Sequence, residues 1–147
     1  MEQCEIEVTL NPSIDLVDSI GKQLKAFNEL QVGPYHREQY VVAAYDSQKR
    51  LLGGMVGYFC WGWLYIDIAW VEESQRSRGI GGQLLRAFEQ VAIERQVVKV
   101  RLNTGSFQAP NFYLKNGYEI FAQLDITGPD GSEQIDYFLK KNLKIKP

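Results

Sequence analysis

The apolar run WLYIDIAWV at residues 63–71, with the segment that follows it, constrains the fold most strongly. Asp67 is its only acidic residue, so the run predicts a strand near the centre of a sheet, covered on both faces. A turn containing three glycines comes next. Apolar residues then recur every three or four positions from Ile80 to about Arg95, which predicts an amphipathic helix. A buried strand that leads through a tight turn into such a helix indicates a sheet with helices packed on it.

The remaining patterns complete the order of elements. The alternation in CEIEVTL predicts a first strand, and apolar spacings of three and four predict a helix after Ser13, with Gly21 as a potential break. Further strands are predicted at QYVVAAYD, LLGGMVGYFC, VVKVRL, YEIFAQL and QIDYFLK, and a short helix at APNFYLKNGY. This order predicts an α/β (α+β) fold with a mixed, largely antiparallel central sheet flanked by helices. At 147 residues, we expect a single domain spanning residues 1–147.

Composition excludes several classes of function. The net charge of −2 gives no reason to expect a nucleic-acid partner or an anionic membrane. No apolar run approaches the roughly 20 residues of a membrane span, and the N-terminus lacks the pattern of a signal peptide. Cys4 and Cys60 have no metal-ligand spacing, and His36 is the only histidine, so no metal site is expected. These features predict a cytoplasmic protein with reduced thiols.

The turn QRSRGIGG at residues 75–82 has the chemistry of an anion site. Its glycines permit positive φ angles or the close approach of a ligand to the backbone. The first N–H groups of the following helix lack internal partners and attract an anion, phosphate above all. Arg76 and Arg78 add charge-assisted hydrogen bonds. The turn therefore predicts a pyrophosphate cradle, with a purely structural turn carrying solvated arginines as the alternative. It matches neither a Walker P-loop nor a dinucleotide fingerprint.

Two motifs together carry a family resemblance. RSRGIG at residues 76–81 resembles the R/Q-x-x-G-x-G/A signature of the GNAT superfamily of acetyl-CoA-dependent N-acetyltransferases. APNFYLKNGY at residues 109–118 is similar to that family's A-x-x-F-Y-x-K-x-G-[FY] helix, and YIDIAWV resembles its fourth strand. One helix and one strand separate the two motifs, as they do in the family. The chain thus resembles the small single-domain members of the GNAT superfamily.

The resemblance implies how acetyl-CoA would bind as the cosubstrate. In the family, the fourth and fifth strands splay apart, and the pantetheine arm pairs with the fourth strand. The backbone of Ala69 and Val71 would then meet pantetheine. The residues implied at the pyrophosphate lie in the glycine turn and the start of its helix: Arg76, Arg78, Gly79, Ile80, Gly81 and Gly82. Asn111 and Tyr113, from the short helix, are the remaining implied cofactor contacts.

Two side chains are implied in catalysis. Tyr113 matches the tyrosine that gives a proton to the departing thiolate, and a phenol pKa of about 10 against a thiol pKa of about 8.5 suits that transfer. Asp67 resembles a strand-four carboxylate that acts as a base or orients water. Strand alternation predicts that Asp67 shares a face with Tyr65, Ala69 and Val71. The alternatives are an aromatic core residue for Tyr113 and a structural carboxylate for Asp67.

The resemblance therefore predicts an enzyme that moves an acetyl group from acetyl-CoA to a primary amine by direct attack. A small-molecule acceptor is expected. Two alternatives stay open: a protein, peptide or aminoacyl-tRNA acceptor, and a non-catalytic acyl-CoA-binding sensor. The free sheet edges are compatible with a homodimer.

Overall fold

The computed structural model describes residues 3–144, which fall into two units, residues 3–36 and residues 37–144. The first unit contains helix α1 (Ile14–Val32). Its start is capped by Ser13, whose side chain accepts a hydrogen bond from the Leu16 amide at 3.2 Å. Its end is marked by Gly33 at a φ of 92°. The expected break at Gly21 is absent, because an interior glycine costs only about 1 kcal/mol relative to alanine.

The strand predicted at CEIEVTL is wrong. Residues 3–10 form no strand, and the side chains of Ile6, Val8 and Leu10 are exposed. Alternation tells which face of a strand would be buried, but a strand forms only where a second strand supplies the hydrogen bonds of the ladder.

The second unit is built on one sheet. Its elements in chain order are β1 (Glu38–Tyr45), β2 (Leu51–Cys60), β3 (Trp63–Val71), α2 (Ile80–Glu94), β4 (Lys99–Gly105), α3 (Pro110–Lys115), β5 (Glu119–Thr127) and β6 (Glu133–Asn142). The sheet order is β1-β2-β3-β4-β6-β5, and of these neighbours only β3 and β4 pair in parallel. The predicted mixed, largely antiparallel sheet is therefore confirmed, with six strands among the described residues instead of seven.

The core lies between helix α2 and the sheet. The apolar stripe of α2 buries Leu84, Leu85, Phe88 and Ala92. Phe88 is fully buried and approaches the sheet at Gly57, where a Cβ atom would lie only 3.0 Å from the ring. A glycine at this position thus lets the helix lie close to β2, which fixes where the N-terminus of α2 stands relative to β3.

Strand β3 contains a β-bulge at Asp67. In the pairing with β2, Val56 is opposite Ile68 and Gly57 is opposite Ile66, so Asp67 is the extra residue. The predicted alternation is therefore wrong beyond Ile66. Ala69 pairs with the buried Met55 on the face of helix α2, whereas Tyr65 pairs with Tyr58 on the opposite face.

The strands β3 and β4 diverge at the bulge. Their parallel pairing joins Trp63–Ile66 to Lys99–Leu102 and goes no further, although both strands continue. The predicted double coverage of β3 is therefore wrong for its second half, because Asp67–Trp70 are exposed. The divergence opens a cleft between the last residues of the two strands.

Candidate active site

A cavity of about 890 Å³ occupies the cleft between β3 and β4 and extends to the start of α2. Most of the predicted site residues line it: Asp67, Ala69, Val71, Arg76, Gly79, Ile80, Gly81, Gly82 and Tyr113. Arg78 and Asn111 are exposed and are not among the lining residues. The fold thus brings the second half of β3, the glycine turn and helix α3 to one cavity.

The free edge of β3 presents backbone groups to this cavity. Glu72 donates its N–H to the Leu52 carbonyl at 2.8 Å. Because the hydrogen-bonded positions of an antiparallel ladder alternate, the N–H and C=O groups of Ala69 and Val71 then point away from β2, toward the cleft. The Val71 carbonyl already accepts a hydrogen bond from Arg76 Nε at 3.1 Å. The other outward groups remain available to an extended ligand.

The glycine turn directs unpaired amides toward the same cavity. Ser77 has a φ of 67° and Gly79 a φ of 80°, so the chain passes twice through the left-handed region before the helix begins. The first intrahelical bond is donated by Gln83 to Gly79 at 3.0 Å. The amides of Ile80, Gly81 and Gly82 therefore lack an acceptor within the helix, and no side chain caps them. The arrangement suits a phosphate group.

Helix α3 closes the cavity beside this turn. A Cβ atom on Gly81 would lie 3.3 Å from Phe112 Cε2, so the absence of a side chain lets the Phe112 ring rest on the start of α2. Phe112 also packs against Tyr113 in a T-shaped contact with ring centroids 5.0 Å apart. The helix-start amides and the Tyr113 ring are thus held in one wall.

Tyr113 is the buried polar group of this wall. It is 6% exposed, and a second T-shaped contact joins its ring to Tyr118 at 5.7 Å. Burial raises the pKa of the Tyr113 phenol above its ordinary value, so the hydroxyl holds its proton. No hydrogen bond to that hydroxyl is formed by residues 3–144. It is a protonated donor that lines the cavity and has no hydrogen-bond partner in the described part of the chain.

A hydrogen-bonded chain of side chains reaches the apex of the cleft from the other face of the sheet. The Tyr65 hydroxyl donates to Asn103 Oδ1 at 2.8 Å, and Asn103 Nδ2 donates to both Asp136 carboxylate oxygens at 3.3 Å. Burial, and then the negative charge of Asp67, raises the pKa of Tyr65. Asp67 and Asn103 both line the cavity.

The sequence patterns did not predict the wall contributed by the end of β4. This wall comprises Asn103, Thr104, Phe107, Gln108 and Ala109. Gln108 Oε1 accepts from the Gly105 amide at 2.6 Å, which folds the segment back on the strand. The one available signal was the polar pair Asn103-Thr104 directly after the apolar VVKVRL. In an open sheet, polar residues at the carboxyl end of a parallel strand are positioned for ligands.

Two further observations concern metals and membranes. Within residues 3–144, no group of three or more histidine, cysteine, aspartate or glutamate side chains is arranged to hold a metal ion. The same part of the chain has no helix of the length and hydropathy that crossing a membrane requires.

Comparison with known proteins gives the cavity a context. Residues 36–120, more than half of the chain, match the model of the acetyltransferase (GNAT) domain. A blasticidin-S acetyltransferase from Streptomyces morookaense is 35% identical over 88 residues, which cover 59% of this chain and 65% of that protein. The chain therefore spans slightly less than two thirds of this relative.

Solved structures share the fold. An acetyltransferase from Bacillus cereus ATCC 14579 is 27% identical with a TM-score of 0.77, over 93% of this chain and 98% of its own. An aminoglycoside 6′-N-acetyltransferase complexed with coenzyme A has a TM-score of 0.62 at 20% identity, over 92% of this chain and 94% of its own. At that identity, the likeness to the second structure concerns the fold alone.

Proposed function

The chain belongs to the GNAT family of acetyltransferases, whose acetyl donor is acetyl-CoA, and we propose that it acetylates a primary amine of a small molecule. One observation carries this proposal. The free edge of β3, the unpaired amides at the start of α2 and the protonated Tyr113 all face one cavity. The β3 edge suits the pantetheine arm of acetyl-CoA, the amides suit its diphosphate, and Tyr113 suits its departing sulfur.

The residues of the cavity fit acetyl-CoA as a substrate. The outward backbone groups of Ala69 and the N–H of Val71 would pair with the pantetheine arm as a neighbouring strand does. The amides of Ile80, Gly81 and Gly82 would hold the diphosphate, with the positive end of the helix dipole behind them. Arg76 would add a charge from the wall, and Arg78 from the exposed side of the turn. Asn111 would meet the cofactor only at the exposed start of α3.

The chemistry is proposed to be direct attack of a neutral amine on the thioester carbonyl carbon. A C–N bond forms and the C–S bond breaks; the nitrogen of the neutral amine loses one proton as the amide forms, and the sulfur gains one. An amine that arrives protonated gives up one further proton before the attack. An amine with a pKa of about 10.4 is less than about 0.1% neutral at pH 7, so the enzyme must remove a proton from the ammonium group before the attack. Asp67 is proposed to take that proton directly or through an ordered water, and Tyr113 to protonate the sulfur.

The names of the relatives support a small acceptor. The relative from Streptomyces morookaense is named for blasticidin S, and the structural neighbour with coenzyme A for aminoglycosides. The exposed Asp67 on the cavity wall offers a negative charge to such an amine. We infer that the acceptor is a small amine-bearing compound of this general kind.

Calorimetric titration with CoA tests the donor site. Wild-type protein is expected to bind CoA, and Arg76→Ala to raise the Kd at least about fivefold, because a charge-assisted hydrogen bond is lost at the cavity wall. Arg78→Ala is the matched comparison in the same turn, and its effect should be smaller. Absence of CoA binding by folded wild-type protein would refute the proposed function.

The enzymatic proposal is tested by thiol release. Wild-type protein with acetyl-CoA and a panel of small amines should release free CoA only when an accepted amine is present. Release that depends on peptides or on aminoacyl-tRNA would assign the acceptor to those classes instead. CoA binding with no release on any panel would leave a non-catalytic acyl-CoA sensor.

Three broader features are also proposed. Cys4 and Cys60 are both free thiols, which is consistent with a reducing compartment, and we propose the cytoplasm. We propose that residues 1–147 form a single functional domain. A homodimer is proposed through the sheet edges β1 or β5, because unpaired edge strands can add a further strand.

A further inference from the structure

The hydrogen-bonded chain Tyr65–Asn103–Asp136 has a fixed polarity. An ionised Asp136 carboxylate can only accept hydrogen bonds, so Asn103 must turn its amide N–H₂ toward it. The Asn103 carbonyl oxygen then faces Tyr65, and the Tyr65 hydroxyl must donate. A phenol hydroxyl that donates its hydrogen bond in this way can still accept one from an incoming donor through its oxygen lone pairs. Asp136 therefore makes the Tyr65 oxygen an acceptor without touching it.

The middle residue of this hydrogen-bonded chain, Asn103, lies at the apex of the cleft. The parallel pairing of β3 and β4 stops at Ile66 and Leu102, so Asp67 and Asn103 are the first unpaired residues on the two sides. Asp67, displaced by the bulge, lines the cavity and has no hydrogen-bond or ion-pair partner within the described chain. Tyr113, more than nine-tenths buried and also without a hydroxyl partner there, lines the same cavity. The unpaired carboxylate of Asp67 and the unpaired hydroxyl donor of Tyr113 thus line one cavity.

We propose that the Tyr65 oxygen and the Asp67 carboxylate form the subsite that receives the acceptor as a protonated primary amine, and that Asn103 and Asp136 are positioning residues for it. This inference rests on the proposed function, because it concerns the acceptor of the same reaction. An ammonium group has three N–H donors and one positive charge, which matches one carboxylate and one oriented phenol oxygen. A hydroxyl or a carboxylate in the same place would supply either too few donors or a repelled charge.

The cations near this subsite are already engaged. Arg101 lies over the Tyr65 ring, with its guanidinium carbon 5.0 Å from the centroid, and Arg37 lies over the Tyr58 ring at 4.1 Å. Both contact ring faces, and the Tyr65 oxygen lies 2.8 Å from Oδ1 of Asn103, a residue that lines the cavity. The carboxylate of Asp136 accepts hydrogen bonds from Asn103, whereas the carboxylate of Asp67 has no hydrogen-bond or ion-pair partner within residues 3–144.

The experiment compares Tyr65→Phe with Tyr58→Phe. The two tyrosine rings are neighbours with centroids 5.1 Å apart, but only the Tyr65 hydroxyl belongs to the hydrogen-bonded chain. With blasticidin S, kanamycin and spermidine as probe amines, Tyr65→Phe should raise the KM for the amine at least about fivefold, with the KM for acetyl-CoA unchanged. Tyr58→Phe should leave both values near wild type.

The positioning role has its own test. Asp136→Asn lets the neighbouring amide turn either way, so it should raise the KM for the amine less than Tyr65→Phe does. In the Tyr65→Phe background, Asp136→Asn should have no further effect, since the oxygen that it orients is gone. An equal effect in both backgrounds would show a structural role and overturn the positioning argument.

Other outcomes separate this inference from the proposed function. An unchanged KM for the amine in Tyr65→Phe, or an equal rise in Tyr58→Phe, overturns the subsite while acetyl transfer stands. If no probe is acetylated, calorimetry of each probe with the CoA-loaded protein decides. Binding that weakens in Tyr65→Phe supports the subsite, and no binding of any probe at millimolar concentration overturns it. Failure of CoA itself to bind refutes the proposed function instead.

Discussion

Tyr113 shows how one side chain acquires a role from its surroundings. The phenol ring is held by Phe112 and Tyr118, so its position is fixed by packing and does not depend on a hydrogen bond. Burial raises its pKa above the ordinary value of about 10, so the phenol is neutral at pH 7. A group of this kind serves as a proton donor and not as a base.

Replacement of the Tyr113 hydroxyl should therefore separate catalysis from binding. Tyr113→Phe keeps the packed ring and removes the proton, so turnover should fall at least about tenfold. The affinity for CoA should stay near wild type, because the hydroxyl would act on the sulfur only as it departs. Steady-state thiol release and calorimetry measure the two quantities. Unchanged turnover would remove Tyr113 from the role of general acid.

At the scale of elements, the start of helix α2 depends on the backbone conformation of Gly79. A Cβ atom there would meet open space, so a side chain fits sterically. The φ of 80° is the obstacle, since it lies in the left-handed region. Glycine adopts this region readily and asparagine sometimes does, whereas other residues mostly avoid it. Glycine is thus required at position 79 for its backbone conformation, whereas at position 81 it is required because a side chain would crowd the Phe112 ring.

Two substitutions distinguish conformation from space at position 79. Gly79→Ala should lower the free energy of unfolding by about 1–2 kcal/mol and weaken CoA binding, because strain at the turn displaces the helix-start amides. Gly79→Asn should cost less in both respects, since asparagine tolerates the left-handed region. Urea unfolding and CoA titration measure both effects. Equal losses in the two variants would mean that any side chain at this position obstructs the site.

The sequence predicted most elements because each carries a local pattern. Helix α2 and strands β1 and β2 follow their apolar periodicities, β3 lies at its apolar run, and helix α3 lies between Pro110 and Gly117 as its motif indicates. The family resemblance is confirmed by the domain match over residues 36–120. Three features escaped prediction for one physical reason. The bulge at Asp67, the divergence after Ile66 and the missing N-terminal strand are all properties of pairing between segments, and no single segment records its partner.

The candidate site was predictable to the same extent. The glycine turn and Tyr113 are encoded in contiguous motifs, and the structure brings them to one cavity. Asn103 lies 36 positions after Asp67 in the chain, and their proximity to one cavity depends on the register of β3 against β4. The face shared by Ala69 and Val71 was predicted wrongly for the same reason, because one extra residue in a strand reverses the alternation beyond it.

At the scale of the whole second unit, a buried polar cluster joins three parts of the fold. Tyr118, between α3 and β5, donates its hydroxyl to Glu89 Oε2 of α2 at 2.9 Å. Lys141 of β6 donates to the same oxygen at 2.9 Å. Burial, and then the negative charge of Glu89, raises the pKa of Tyr118 strongly. The cluster lies outside the cavity lining, so its contribution is to stability.

This cluster predicts how the stability of the protein changes at alkaline pH. In the unfolded chain Tyr118 ionises at a pKa of about 10, whereas the folded protein keeps it protonated. The unfolded state therefore releases a proton above that pH, and the free energy of unfolding should fall by about 1.4 kcal/mol per pH unit for this residue alone. Tyr113, whose pKa is also raised, adds to the same slope. Below about pH 10 neither tyrosine contributes a pH dependence.

Tyr118→Phe tests this account because it should lower the free energy of unfolding at pH 7 but reduce the loss of that free energy above pH 10. At pH 7 the variant should be less stable by about 1–3 kcal/mol, since the buried Glu89 loses a hydrogen-bond donor. Above pH 10 its free energy of unfolding should fall less steeply than that of wild type, because one of the raised pKa values is gone. Urea unfolding at pH 7, 9, 10 and 11 gives both. Parallel pH profiles for the two proteins would show that Tyr118 ionises in the folded state as it does in the unfolded one, and that the link between α2, α3 and β6 does not depend on its proton.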